Sequence, residues 1–489
     1  MTKEYTQSII SLLPDITEEE KHLIEQAVIF ADKAHAGQQR QSGEPYVTHV
    51  IEAACNLARI QADIPTIIAG ILHDTLEDTD TTPEQIQENF GEVVLGLIQG
   101  VTKLGKLKYQ GVERHAESLR KFFIASANDI RVVAIKLADR LHNISTLEHV
   151  KPEKQHRIAI ETLEIYARLA DRLGMGRIKA QLEDLAFPFA YPEEFNRVKN
   201  ILKDFQNISE PHLIQVAEKL KEELEILEAD ITRLDYRVKH LYSLWKKLVY
   251  NDYDISKIHD ILALRILVPT VSDCYQALGI IHGLYKPLPG RFKDYIALPK
   301  PNGYQSLHTT IFDGIGGVVE IQIRTNEMHQ EAEFGIYSHI NYKEKGKGKN
   351  HQSTLSKTKW TEQLLEAQKT MEKPEEFLNH LKLDFFQERV FVYTPKGDVI
   401  ELPRSASALD FAYAIHSEIG THATGAIING KMSPLHEKLI QGDIIQVLTS
   451  EKQKPNRKWI EFCKTSFAKS QIKKYLKEHG GVMDKFLVK

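Results

Sequence analysis

The run Ile67-Ile68-Ala69-Gly70-Ile71-Leu72 leads without a break into His73-Asp74-Thr75-Leu76-Glu77-Asp78. An apolar run of this kind reads as a buried helix, and a buried helix rarely ends in four ionisable groups unless something there uses them. Two further residues suit the same place: His49, and Asp139 within Lys136-Leu137-Ala138-Asp139-Arg140-Leu141-His142-Asn143. Two imidazoles and two carboxylates form a sufficient ligand set for a divalent metal with N/O preference. On a continuous helix, His73 and Glu77 share one face and Asp74 and Asp78 the adjacent one; Asp139, Asn143 and Thr146 line a face of a second helix. The pattern predicts a metal held by His49, His73, Asp74 and Asp139, with Glu77 and Asp78 free to act on a metal-activated water. A capped, solvated helix end is the competing reading of the same charges.

The remaining composition narrows the class. At 489 residues, with 42% hydrophobic and 27% charged, the chain predicts about three domains of ordinary soluble material. Net charge is −4, which removes a general polycationic attraction for nucleic acid. Cys55, Cys274 and Cys463 are far apart and lack a CxxC, which argues against a disulfide scaffold or zinc finger. The N-terminus lacks a signal-peptide pattern and no apolar stretch reaches membrane-spanning length, so a cytoplasmic protein with no membrane partner is expected.

Periodicity divides the chain. Residues 1–195 read as successive helices, among them 18–35, 50–59, 131–147 and 154–173. Residues 196–342 read as α+β, helical and charged over 194–248 with strands at 261–268, 295–298, 307–312 and 318–323. A Lys/Gly-rich linker and a helix from Trp360 to about Leu381 fill 343–383. Residues 384–452 predict a small β-grasp-like unit: a hairpin of 390–393 and 399–402, a helix over 408–419 and a final strand over 443–449. A basic helical tail over 453–489 follows.

A second chemical centre lies in the middle third. Arg237 to Lys247 concentrates cations, and helical spacing puts Lys239, Ser243 and Lys247 on one face. Asp260 precedes the strand that carries Arg265, and Glu320, Gln322 and Arg324 alternate along another. Between them lies the loop from Gly290 to Thr309. Cationic clamps, two carboxylates for Mg²⁺ and an aromatic to stack a base are what phosphoryl-type transfer needs. No Walker-type loop is present.

These motifs resemble the RelA/SpoT homologues. Residues 34–49, Ser118-Leu119-Arg120-Lys121 and Asp129-Ile130-Arg131-Val132-Val133 are similar to that family's HD-type hydrolase half, and residues 237–247, 260–265, 290–309 and 320–325 to its synthetase. Asp410 to His416 and Gly442 to Ile445 are similar to its TGS domain. The resemblance implies three domains: an all-α HD-type domain, an α+β nucleotidyltransferase-like synthetase and a β-grasp TGS domain. It implies Mn²⁺ at the hydrolase site, with Arg40, Tyr46, Asn143 and Thr146 on ppGpp or pppGpp. In the synthetase it implies Mg²⁺ on Asp260 and Glu320, the glutamate also acting as base. ATP would then face Arg237, Lys239, Ser243, Lys247 and Arg265; GDP or GTP would face Lys300, Asn302, Tyr304, His308 and Gln322. Uncharged tRNA and the ribosome are the partners implied for the TGS domain. The resemblance stops short of the zinc-finger and ACT-type modules of long members, and Gln41 and Ser145 stand where the family usually has Lys and Arg. Three functions follow for test: a bifunctional (p)ppGpp synthetase and hydrolase, a hydrolase-dominant enzyme with a regulatory synthetase domain, and a tRNA- or ribosome-binding stress sensor with degenerate sites.

Overall fold

The structure is a computed structural model. It describes residues 2–14, 16–102, 120–126, 128–226, 230–300, 302–314, 317–335, 337–338 and 389–479. The chain divides into two compact units, Met1–Glu366 and Ala367–Lys489. The linker and helix expected over 343–383 lie outside the described residues, as do Ser118 and Leu119.

The first unit begins with α1 (Thr2–Ile10), α2 (Glu18–Ala34), α3 (Val47–Arg59), α4 (Ile64–Leu72), a single turn α5 (Thr75–Asp78) and α6 (Pro83–Val101). After it come α7 (Arg131–Ser145), α8 (Pro152–Glu161), a π-helical turn over Thr162–Tyr166, α9 (Ala167–Arg172) and α10 (Gly176–Ala190). Reciprocal capping boxes start α2 (Thr17 with Glu20) and α6 (Thr82 with Gln85), so these helix starts are local sequence effects. The apolar stripes of α3 and α7 pack on each other and on α4, whose residues Thr66 to Leu72 are all buried. Gly70 permits the close approach, since a Cβ there would collide with the Leu57 side chain of α3. That approach brings the His73 ring within 5.3 Å of the His49 ring.

The same unit continues through the long α11 (Pro192–Ile226), β1 (Arg233–Val238), α12 (Leu241–Tyr250), β2 (Leu262–Val268), α13 (Val271–Leu284), β3 (Lys293–Asp294), β4 (Leu307–Phe312), β5 (Val318–Thr325) and α14 (Asn326–Phe334). The five strands form one mixed sheet in the order β1-β2-β5-β4-β3, with β2 and β5 parallel. One face buries Leu264, Ile266, Leu307, Ile311, Ile321 and Ile323 against α11 and α13. Because alternate residues point to opposite faces, the other face carries the polar set. Strand register places Asp235, Arg265, Gln322 and His308 in one row, and Arg237, Ala263, Glu320 and Thr310 in the next.

Two expectations are corrected here. Arg237 lies on strand β1, not on a helix with Lys239, Ser243 and Lys247; the helix starts only at Leu241. β1 is an edge strand with alternating exposure, so its charged residues look helical and solvated in sequence. Residues 295–298 form a turn, because Asp294 Oδ1 accepts hydrogen bonds from the Ile296 and Ala297 N–H groups at 2.9 and 2.8 Å.

In the second unit, β6 (Arg389–Tyr393) and β7 (Val399–Pro403) form the expected hairpin. The helix expected over 408–419 is broken into α15 (Ala408–Ile415) and α16 (Ser417–Thr421) by extended backbone at His416, whose ring accepts from the Glu418 N–H. Strands β8 (Ala423–Ile428) and β9 (Lys431–Ser433) are not foreseen in the sequence; β8 pairs with β9 on one side and with β10 (Ile445–Thr449) on the other. The expected tail helix is α18 (Ser466–His479), after the short α17 (Lys458–Phe462); Trp459, Cys463, Ala468, Ile472 and Leu476 share a core with Leu409, Ala412 and Tyr413.

Buried Asp410 ties the two parts together. It accepts from Ser407 N and Oγ at its own helix start, and from Lys464 N, Thr465 N and Thr465 Oγ1 at 2.8 to 3.0 Å. Asp410→Ala strands these donors and should cost about 2–4 kcal/mol. Thermal unfolding of the unit checks this; an unchanged midpoint would contradict the anchoring role.

Candidate active sites

At the first centre, α4 ends at Leu72 and the chain turns through His73 and Asp74 into α5. The continuous helix expected through Asp78 is thus broken, with Thr75 Oγ1 capping the Leu72 carbonyl at 2.7 Å. The break turns His73 and Asp74 inward together. His73 Nδ1 donates to the Gly70 carbonyl at 2.8 Å, which leaves Nε2 facing the cluster, buried and without a hydrogen bond. It lies 3.2 Å from Asp74 Oδ2 and 3.8 Å from Asp139 Oδ1. His49 Nε2 lies 3.5 and 3.3 Å from the same two oxygens.

Ligand atoms of His49, His73 and Asp74 all fall within 4.8 Å of one another, and Asp139 adjoins them. The donor set is N₂O with a second carboxylate beside it, which suits a divalent first-row cation that takes mixed imidazole and carboxylate ligands. Burial would raise the Asp74 carboxyl, but His73 and His49 hold it well below the usual range. Burial likewise opposes ionisation of Asp139, which Lys136 at 2.7 Å keeps charged with help from both imidazoles. Burial would lower His73, yet Asp74 and Asp139 push it up to about 9, so without a cation a proton fills the same electrostatic role.

The residues expected to hold the hydrolase substrate gather beside this cluster. Tyr46 donates to Asp74 Oδ2 at 2.7 Å and reaches Asp78 Oδ2 at 3.1 Å; burial and then Asp74 keep its hydroxyl protonated. Glu77 is exposed on the same single turn as Asp78. Arg40 Nη2 donates to Asn143 Oδ1 at 2.9 Å and reaches Thr146 Oγ1 at 3.5 Å. Asn143 in turn donates to Asp139 Oδ1 at 2.5 Å, so the expected helix face of Asp139, Asn143 and Thr146 is used as one surface. Arg40, Gln41, Ser42, Tyr46, Thr146 and His149 line a cleft of about 260 Å³. Sequence reasoning passed over His142, whose Nδ1 lies 2.8 Å from His49 Nδ1 and 2.9 Å from Arg40 Nη1. Burial, with His49 and Arg40 beside it, pushes its pKa down to about 3. His35, stacked on the Tyr46 ring at 4.7 Å, was also missed. Nothing in a single sequence separates such supporting imidazoles from core histidines.

At the second centre the sheet's polar face brings its residues into one network. Asp260 pairs through Oδ2 with Lys239 and with Lys247, the latter at 2.5 Å. Those lysines hold its carboxyl far below the usual range against the effect of burial. Its other oxygen, Oδ1, is buried and lacks a hydrogen bond, as a position for a cation requires. Glu320 Oε1 accepts from Gln322 Nε2 at 2.9 Å and lies 3.4 Å from His308 Nδ1. Burial would raise Glu320, but the hydrogen bond from His308 lowers it on balance, so it is an anion and able to take a proton. Arg237 donates to Gln322 Oε1 at 2.8 Å, and Tyr304 and His308 join through Oη and Nε2 at 2.8 Å. Lys300 Nζ sits 4.8 Å from the Tyr304 ring centre, the range of a cation–π contact. Asn302 Oδ1 accepts from Tyr304 N at 3.3 Å and fixes the loop. Arg265 is held by Asp235 at 3.2 Å.

Ser243, expected towards ATP, donates to buried Glu183 of α10 at 3.3 Å. On the same helix, Asp184 accepts from Tyr242 N at 3.1 Å and so caps the start of α12. The helical half therefore holds the helix that carries Lys247, a support invisible in sequence because the cap lies 58 residues away.

Residues 27–176 match the family model of the HD domain, residues 236–347 that of the region found in RelA / SpoT proteins, and residues 390–449 that of the TGS domain. Over 97% of its length the chain is 47% identical to a guanosine-3′,5′-bis(diphosphate) 3′-pyrophosphohydrolase of Aquifex aeolicus, covering 67% of that protein. The chain belongs to the RelA/SpoT homologue family. It is also 46% identical to a GTP pyrophosphokinase of Myxococcus xanthus over 93% of this chain and 60% of that protein. With the bifunctional (p)ppGpp synthase/hydrolase SpoT of Escherichia coli it shares 41% identity over 96% of this chain and 66% of that protein. The chain thus spans about two thirds or less of the length of these relatives. All three cysteines are buried and free, and no helix among the described residues is long and apolar enough to cross a membrane.

Proposed function

We propose that the chain is a bifunctional alarmone enzyme. It transfers pyrophosphate from ATP to the 3′-hydroxyl of GDP or GTP, and it hydrolyses (p)ppGpp to GDP or GTP and pyrophosphate. The observation that carries this is the coexistence of two complete polar constellations, each with its carboxylates in place, on separate halves of one unit. Relatives named for each activity support it. A hydrolase-dominant enzyme with a purely regulatory synthetase has no need of the retained Asp260 and Glu320.

In the hydrolase, His49, His73, Asp74 and Asp139 would hold Mn²⁺. When bound, such an ion supplies charge that polarises a phosphoryl oxygen and acidifies water. Arg40, Tyr46, Asn143 and Thr146 position the guanosine substrate in the cleft beside it, and Asp78 and Glu77 take up the proton of the attacking water. In the synthetase, Asp260 and Glu320 would hold Mg²⁺. The 3′-oxygen of the acceptor forms a bond to the β-phosphorus of ATP, AMP leaves, and Glu320 accepts the hydroxyl proton. Lys239, Lys247, Arg237 and Arg265 exchange their internal carboxylate and amide partners for the ATP phosphates, while Tyr304 stacks on guanine. Ser243 acts through the position of α12. Exposed Lys458, Lys464, Lys473, Lys474 and Lys477 give the TGS-containing unit local cations for uncharged tRNA or the ribosome.

Separate incubations test the two activities: labelled ATP with GDP and Mg²⁺, and labelled ppGpp with Mn²⁺. Product in only one of them would overturn bifunctionality.

A pH profile tests the acceptor pocket. Burial, only partly offset by Asp171, pushes Lys300 down to about 8. The cation is then present at pH 7 and lost as pH rises past about 8, so at saturating ATP kcat/KM for GDP should fall across pH 8–9. Lys300→Arg stays charged and should flatten that limb. The same fall in the arginine variant would remove Lys300 from acceptor binding.

A further inference from the structure

Two hydrogen bonds converge on a single nitrogen, His142 Nδ1: Arg40 Nη1 lies 2.9 Å from it and His49 Nδ1 lies 2.8 Å from it. A guanidinium can only donate, so in the Arg40 contact His142 Nδ1 must be the acceptor and carries no proton. The proton of the His49–His142 contact therefore belongs to His49 Nδ1. A neutral imidazole protonated at Nδ1 has its lone pair on Nε2, the atom that His49 turns towards Asp74 and Asp139.

We infer that His142 is a positioning residue that fixes the tautomer and ring orientation of His49, with Arg40 fixing the tautomer of His142 in turn. This rests on the reading of the His49 cluster as the hydrolase metal site. His73 reaches the same result by a different device, donating Nδ1–H to the Gly70 carbonyl. The two ligand imidazoles are thus set independently, one by backbone and one by a side-chain chain that starts at a cleft residue. Removing the acceptor leaves His49 free to rotate or to protonate at Nε2, and a supporting hydrogen bond of this kind is worth about 10–100-fold in metal affinity.

Mn²⁺ titration followed by electron paramagnetic resonance on the intact chain tests this, in a Glu320→Gln background so that the synthetase carboxylate does not compete. His142→Leu, which lacks an acceptor, should weaken Mn²⁺ binding about 10–100-fold with an unchanged melting temperature. His142→Asn places Oδ1 where Nδ1 was and should restore binding to within about threefold of the parent. Parent-like affinity in the leucine variant overturns the inference, as does an asparagine variant as weak as the leucine one. Asp74→Ala is the control: if it too binds Mn²⁺ normally, the metal-site reading itself fails; if it loses binding and His142→Leu does not, only the role of His142 fails. Should the leucine variant melt early, long-range ¹H–¹⁵N spectra of the histidine-labelled, metal-free parent decide. They should show a proton on His49 Nδ1 and none on His142 Nδ1, and a His49 bare at Nδ1 overturns the inference.

Discussion

Asp74→Ala removes (p)ppGpp hydrolysis by a factor of about 10³ or more, the several kcal/mol that a metal ion contributes to such a reaction, and leaves pyrophosphate transfer close to that of the parent. The size follows from how many groups share this one carboxylate. Oδ2 faces both ligand imidazoles at 3.2 and 3.5 Å and accepts the Tyr46 hydroxyl at 2.7 Å. Alanine deletes one ligand, releases Tyr46 from the cleft wall, and removes the anion that sustains the His73 proton. Among the described residues Asp74 pairs with Tyr46, His49 and His73, none of them in the synthetase, so synthesis should be untouched. Steady-state hydrolysis of ppGpp with Mn²⁺ on the purified variant measures it. Hydrolysis at the parent rate would take Asp74 out of the site.

Glu320→Gln has the mirrored effect. The amide keeps the shape, and its carbonyl can still accept from Gln322, so the sheet should fold normally. Lost are the anion that helps hold Mg²⁺ and the base for the 3′-hydroxyl, and removal of a general base alone costs about 10²–10⁴ in rate. Synthesis should fall by that factor or more while hydrolysis persists. Residual transfer cannot easily be assigned to Asp294, the next acidic residue along the motif. Its Oδ1 is occupied by the Ile296 and Ala297 N–H groups and its Oδ2 by the Tyr275 hydroxyl at 2.9 Å, so it serves the turn. Full retention of transfer would move the base outside the network described.

Much of this was legible because local patterns and global demands agree. The apolar run before His73 could only be buried, and the polar alternation of Glu320, Gln322 and Arg324 could only be one face of a strand. Failures came where tertiary structure overrides local signal. Arg237 sits on an edge strand whose charges imitate a solvated helix, and α4 ends at Leu72, just before the ligand pair His73 and Asp74. The basic helix after Ser466 reads as a free tail, yet its Ala468, Ile472 and Leu476 are core, a stripe too narrow to stand out among lysines. Least legible were contacts between distant segments. Asp184 capping α12 and His142 supporting His49 have no local signature, since each depends on packing across 58 and 93 residues.

If one chain builds and destroys the same 3′-pyrophosphate at two sites, as proposed, a single tube can show both reactions. The chain is incubated with ATP labelled in the β-phosphate, GDP and Mg²⁺, the reaction is followed by thin-layer separation, and Mn²⁺ is then added after the ATP has been removed. Labelled ppGpp is expected in the first stage and its conversion to labelled pyrophosphate and unlabelled GDP in the second. Label that never leaves ATP, or labelled ppGpp that survives Mn²⁺ unchanged, would contradict it.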